Sequence, residues 1–147
     1  MATTVSDYLE KVMRVQSQIG NEVDDIVRSK EEEILNLNRE DQLFDKGIDT
    51  NGLLLGQYAR TLNGNTRGYP KRQGEPFNFY DTGSLFSNFS LLSSANDNKV
   101  VIENSDSKVG LLTRQYGEFI GLTEENQYKL NYEIIYPELM AFIKQYL

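Results

Sequence analysis

The residues of this chain best suited to chemistry lie in the run Phe79-Tyr-Asp-Thr-Gly-Ser-Leu-Phe-Ser-Asn-Phe89. Asp81-Thr82-Gly83 has the composition of a loop in which a carboxylate shares a proton with a second carboxylate and activates a water between them, the chemistry of aspartic proteolysis. That chemistry needs two such aspartates, and the chain has one Asp-Thr-Gly. A dimer built mostly of strands and turns would be required, whereas much of this sequence reads as helix. The same three residues also serve structure. Asp81 can cap the backbone donors of a turn, Thr82 can add a local hydrogen bond, and Gly83 can take dihedral angles closed to other residues. The structural reading is the expectation, and a dimeric protease using Asp81 is the alternative.

Other chemistry is narrowly bounded. The chain has no cysteine and no histidine, which removes disulfides, zinc fingers, thiol nucleophiles and a Ser-His-Asp triad. Asp45, Asp49 and Asn51 suggest a calcium loop. Taking Asp49 as its third position, however, puts Gly47 first and Tyr58 twelfth, where oxygen donors ending in Glu are needed. Gly47, Gly52 and Gly56 lack both the phosphate-loop spacing and the following Lys-Ser/Thr. Glu31-Glu32-Glu33 reads as a solvated helix face, and no carboxylate pair stands out for glycoside hydrolysis. Neither a metal, a cofactor nor an enzymatic activity is expected.

A formal net charge of −7 argues against a protein that gains affinity by neutralising many phosphates. No apolar run approaches the ~18 residues of a membrane span, and the opening Met1-Ala-Thr-Thr is not read as a signal peptide. The 147 residues suit a single domain.

The elements that would position these residues begin with a long helix over 5–38. Val5, Tyr8, Val12, Val15, Ile19, Val23 and Ile26 recur at steps of three and four, with Thr4 or Ser6 as the cap. At 1.5 Å per residue such a rod is about 50 Å long, against a radius of gyration of about 15 Å for a globule of this size. Tyr8, Val12, Val15, Ile19, Val23 and Ile26 therefore form either a face that packs on a neighbouring subunit or an ordinary amphipathic seam broken near Gly20 or Lys30.

Residues 45–52 are turn-rich, and 53–59 suit a short strand or helix. The stretch 60–78 reads as an extended basic loop carrying Arg60, Arg67, Lys71 and Arg72, with no acid until Glu75. It either contacts an acidic neighbour or passing nucleic acid, or is simply solvated by its charges. Residues 80–147 hold a hairpin across 89–104 and the C-terminal helices. A short helix with Val109, Leu112 and Tyr116 ends at Gly117, Thr123 caps the next, and Pro137 begins or kinks the last. The fold class expected is α+β: a long N-terminal helix, a central antiparallel hairpin, a short helix and a C-terminal helix.

The order of these features resembles that of tailed-bacteriophage neck, head-tail connector and tail-completion proteins. Asp81-Thr-Gly-Ser-Leu85, the hairpin, Tyr116-Gly117 and Phe119-Ile-Gly-Leu-Thr-Glu-Glu-Asn126 carry the resemblance, the last phrase being similar to one in proteins of Bacteroides-type phages and prophages. The resemblance implies a non-enzymatic virion subunit, assembled in the host cytoplasm into a homo-oligomeric ring around the DNA channel. It also implies contacts with adjoining portal, connector or tail proteins, non-specific contact with packaged DNA, and no membrane. A small adaptor or regulatory protein that dimerises through its N-terminal helix is the other non-enzymatic reading.

Overall fold

The computed structural model describes residues 4–58, 72–94 and 99–147. Thr4 opens the first helix. Its hydroxyl accepts from the Asp7 N–H at 3.1 Å, and the Asp7 carboxylate accepts from the Thr4 N–H at 3.0 Å. This reciprocal box satisfies two donors that a helix start otherwise leaves orphaned. Helix α1 runs over Val5–Ser29, roughly 37 Å at the α-helical rise. Gly20 does not interrupt it. The break falls at Lys30, with φ −107° and ψ 15°.

Helix α2 (Glu31–Asn36) follows directly, and a π-helix over Leu37–Lys46 carries the helical path past the expected end at residue 38. Gly47 closes it in the left-handed region, φ 63°. A Cβ there would stand 2.3 Å from the Phe77 carbonyl oxygen, so the site needs glycine for space as well as for conformation.

After Gly47 the chain makes a turn rather than the regular strand or helix expected over 53–59. Asp49 Oδ1 accepts from the N–H groups of Asn51 and Leu53, each at 2.9 Å. Isolated bridges join Ile48 to Leu54 and Gln57 to Pro76. On the return leg, Phe79 sits at φ 61°, a strained conformation for an aromatic residue. Asn78 Oδ1 spans it by accepting from the Tyr80 N–H at 2.9 Å.

A single turn, α3 (Ser84–Ser87), leads into β1 (Phe89–Ser94). It pairs antiparallel with β2 (Lys99–Asn104) in a register from Phe89↔Asn104 to Ser94↔Lys99. Helix α4 (Val109–Tyr116) stops at Gly117, φ 100°. Helix α5 (Glu124–Tyr128) starts on Thr123, whose hydroxyl accepts from the Asn126 N–H at 3.2 Å. A second π-helix (Lys129–Ile135) then precedes α6 (Tyr136–Tyr146), with Pro137 in its first turn. Proline has no N–H to donate back one turn, and wider π bonding just upstream accommodates that loss. The architecture is the α+β arrangement expected from the sequence.

Two apolar clusters hold it. Leu35, Leu43, Leu55, Leu85, Phe86, Phe89 and Phe119 form one, and Val27, Ile34 and Leu130 form the other, flanked by Val23, Ile134 and Ile135. Alternation along the hairpin feeds them from one face. Leu91 and Ile102 point inward and are opposite each other, while the next pair, Leu92 and Val101, is exposed.

Between the clusters lies a buried amide clamp. Asn38 donates to the Phe119 carbonyl at 2.9 Å and accepts from the Gly121 N–H at 2.7 Å. One turn on, Gln42 donates to the Gly121 carbonyl at 2.8 Å and accepts from the Thr123 N–H at 2.9 Å. The two side chains thus treat residues 119–123 much as a neighbouring strand would. Asn126 completes the clamp with its own amide, donating to the Leu37 carbonyl and to Gln42 Oε1 at 3.0 and 2.9 Å.

Candidate interaction surface

The seam read along α1 has two environments. Ile26 and Val15 are buried, and Val23 packs on the second cluster. Ile19 is half-buried. Toward the N-terminus the same seam emerges into solvent: exposure rises from 6 % at Val15 to 38 % at Val12, 50 % at Tyr8 and 78 % at Val5. Every residue from Thr4 to Arg14 is exposed, which amounts to about 15 Å of helix.

Leu9 and Met13, also exposed, widen the strip. They lie four positions after Val5 and Leu9 respectively, on the neighbouring row of the same face. The seam pattern named Tyr8 and Val12 but passed over these two, although their spacing signals them. The body of α1 is covered by the hairpin and the C-terminal helical segment: Val23 and Val27 pack with Leu91, Val100, Leu130, Ile134 and Ile135, α6 also contacts α1, and Lys30 and Glu138 approach within 3.9 Å. The first three turns carry the same apolar stripe as the covered part.

The Asp81-Thr82-Gly83 bend lies elsewhere. Asp81 and Thr82 are exposed. Gly83 takes φ 90° as the N-cap of α3, and the Thr82 hydroxyl accepts from the Ser84 N–H at 3.3 Å. The carboxylate paired with this turn is Asp106, which accepts from the Ser84 hydroxyl and, at 2.8 Å, from the Lys108 N–H. The Ser84 hydrogen bond leads the causes that hold the Asp106 carboxyl below its usual range. The charge of Asp81 also bears on a phenol. Burial raises the Tyr58 hydroxyl above its ordinary value, and the charges of Glu75 and Asp81 add to that against a hydrogen bond to Asn78.

Of the basic stretch, Arg60, Arg67 and Lys71 lie outside the described residues. Arg72 is exposed, and its N–H donates to the Glu75 carboxylate at 3.2 Å. The base of the stretch is pinned: Tyr58 N–H donates to the Glu75 carbonyl at 3.0 Å, and Gly74 N–H to the Tyr58 carbonyl at 2.8 Å. Among the described residues, no three His, Cys, Asp or Glu converge as metal ligands. No described helix is long and apolar enough to cross a membrane.

No protein-family model, curated protein or solved structure matches the chain.

Proposed function

We propose that this chain is a non-enzymatic structural subunit of a phage neck or tail, working as one of several copies in a ring around the DNA channel. The observation that carries the reading is the emergence of the α1 seam. An apolar stripe that is covered by the chain's own hairpin and C-terminal segment over one half and exposed over the other offers a face for a neighbour. Burying it against a neighbour recovers roughly 25 cal/mol for each Å² of apolar surface. The phage context comes from the resemblance carried by Asp81–Leu85 and Phe119–Asn126. The order of helix, turn, hairpin, Tyr-Gly stop and C-terminal helix supports it.

In this reading Asp81-Thr82-Gly83 shapes the entry to α3 and β1, and the virion is the place of action. Portal, connector or tail proteins are the neighbours, and packaged DNA is a non-specific one. The test is electron microscopy of intact particles, which should show repeated copies in the neck or tail; particles without the chain would sink the reading. A stable two-copy species that never grows into rings would instead favour an adaptor dimerising through α1. Peptide cleavage lost on Asp81→Asn would favour the protease.

A further inference from the structure

The solvent face of the C-terminal helices carries a second, chemically different surface. Tyr128, Tyr132 and Tyr136 recur at steps of four, and each is more than half exposed. Their ring centroids are 4.6 and 6.4 Å apart, tilted by 38° and 48°. Leu130, Ile134 and Ile135 face the core from the other side of the same segment. Three stacked rings with few rotatable bonds form a pre-ordered surface, so a ligand would lose little side-chain entropy on binding to it.

The ladder's surroundings are acidic. Between residues 124 and 138 stand Glu124, Glu125, Glu133 and Glu138; Lys129 lies 3.7 Å from Glu125 and Lys30 3.9 Å from Glu138, so acid outnumbers base by two. The faces of the tyrosine rings are electronegative as well. Together they select a planar, weakly hydrated cation, and a guanidinium both stacks on such rings and pairs with flanking carboxylates. The chain itself contains that chemistry. Four of its fifteen cations (Arg60, Arg67, Lys71 and Arg72) fall in one stretch without a carboxylate. The stretch leaves and returns at one place, because Tyr58 is hydrogen-bonded to Gly74 and Glu75.

We infer that the Tyr128–Tyr132–Tyr136 ladder docks the arginine-bearing stretch 60–72 of a second copy. The inference rests on the reading that copies assemble side by side, and it names what one copy offers the next. Ladder and stretch are different patches, so the contact is heterologous and each copy presents one of each. This is the arrangement that propagates around a ring.

A labelled peptide of residues 59–73 is titrated into the full-length chain whose own Arg60, Arg67, Lys71 and Arg72 are replaced by Ala. Saturable binding is expected, weakened at least tenfold by Tyr132→Ser or by Glu125→Lys with Glu133→Lys, and weakened further by added salt. Equal binding by a scrambled peptide, or undiminished binding to Tyr128→Ser/Tyr132→Ser/Tyr136→Ser, overturns the inference. Because the native chain has no cysteine, single cysteines at Thr66 and at the exposed Asn131 beside the ladder report the copy involved and leave all three rings in place. A disulfide between two separately prepared variants is expected on mixing, whereas one formed only within a doubly substituted chain refutes the second copy. Rings that still form in the triple-serine variant refute ladder docking and leave the assembly reading standing. An inter-copy disulfide in a protein absent from virus particles sinks the virion reading alone.

Discussion

The Gly121 N–H donates to Asn38 Oδ1 at 2.7 Å across 83 positions of sequence, and the same Asn38 side chain donates to the Phe119 carbonyl. One amide therefore serves both polarities of a backbone that has no strand beside it. Removing it takes the partner from the buried Phe119 carbonyl and from the half-buried Gly121 N–H, a buried unsatisfied group costing about 1–3 kcal/mol. Asn38→Ala should destabilise the chain by roughly 2–4 kcal/mol on that basis. Asn38→Asp, which still accepts from Gly121 but cannot donate to Phe119, should also destabilise it. Urea unfolding followed by circular dichroism measures both.

Gly47 and Gly52 separate space from conformation. Both have positive φ, 63° and 82°, but a Cβ on Gly47 meets Phe77 and Pro76 while one on Gly52 meets nothing within 4 Å. Gly52→Ala should cost about 1–2 kcal/mol, the left-handed penalty. Gly47→Ala should cost that and about 1–3 kcal/mol more for overpacking. Equal unfolding midpoints for the two variants would count against the close approach of Phe77 to the end of the π-helix.

Acid should weaken the fold through three carboxylates. The Thr4 hydrogen bonds lower Asp7, and the Ser84 hydroxyl leads the lowering of Asp106. Burial pushes Asp41 upward, but the hydrogen bond from Asn126 and the charges of Lys46 and Lys129 outweigh it, and the net shift is downward. A folded-state value below the unfolded one gives stability that is present above about pH 4 and lost as pH falls through the folded value. Urea midpoints should thus fall as the pH drops below about 4. The drop should be shallower in Asp106→Asn and in Asp41→Asn.

The exposed start of α1 should matter to association and not to the monomer. Val5→Ser, Leu9→Ser and Met13→Ser alter side chains with more than half their surface in water, so each should change monomer stability by within about 0.5 kcal/mol. Combined, they should abolish any concentration-dependent growth in sedimentation coefficient. Val15→Ser, only one turn beyond Val12 but buried, should lower the unfolding temperature.

What was legible in the sequence followed local signals. Steps of three and four gave α1, Gly117 gave the end of α4, Thr123 gave the cap of α5, and the strand-like run 99–104 gave one side of the hairpin. The continuation of the first helical path to Lys46 was not legible. Asn38-Arg39-Glu40-Asp41-Gln42 reads as a polar surface, yet Asn38 and Gln42 are fully buried because their partners lie some eighty residues away. The phrase Phe119–Asn126 stood out as a motif, but its role as the clamped strip depends on those distant amides. The tyrosine ladder was present in the spacing of Tyr128, Tyr132 and Tyr136. Apolar periodicity does not single it out, because that pattern marks what is hidden and says little about what is displayed.

The amide clamp has a consequence for how the molecule holds together. Its two sides belong to sequence segments on either side of residues 59–71, so the polypeptide bond through that stretch is not what keeps them adjacent. A protease nick there should yield two fragments that co-elute and unfold as one. Genes encoding residues 1–58 and 72–147 separately should likewise reconstitute the fold by complementation.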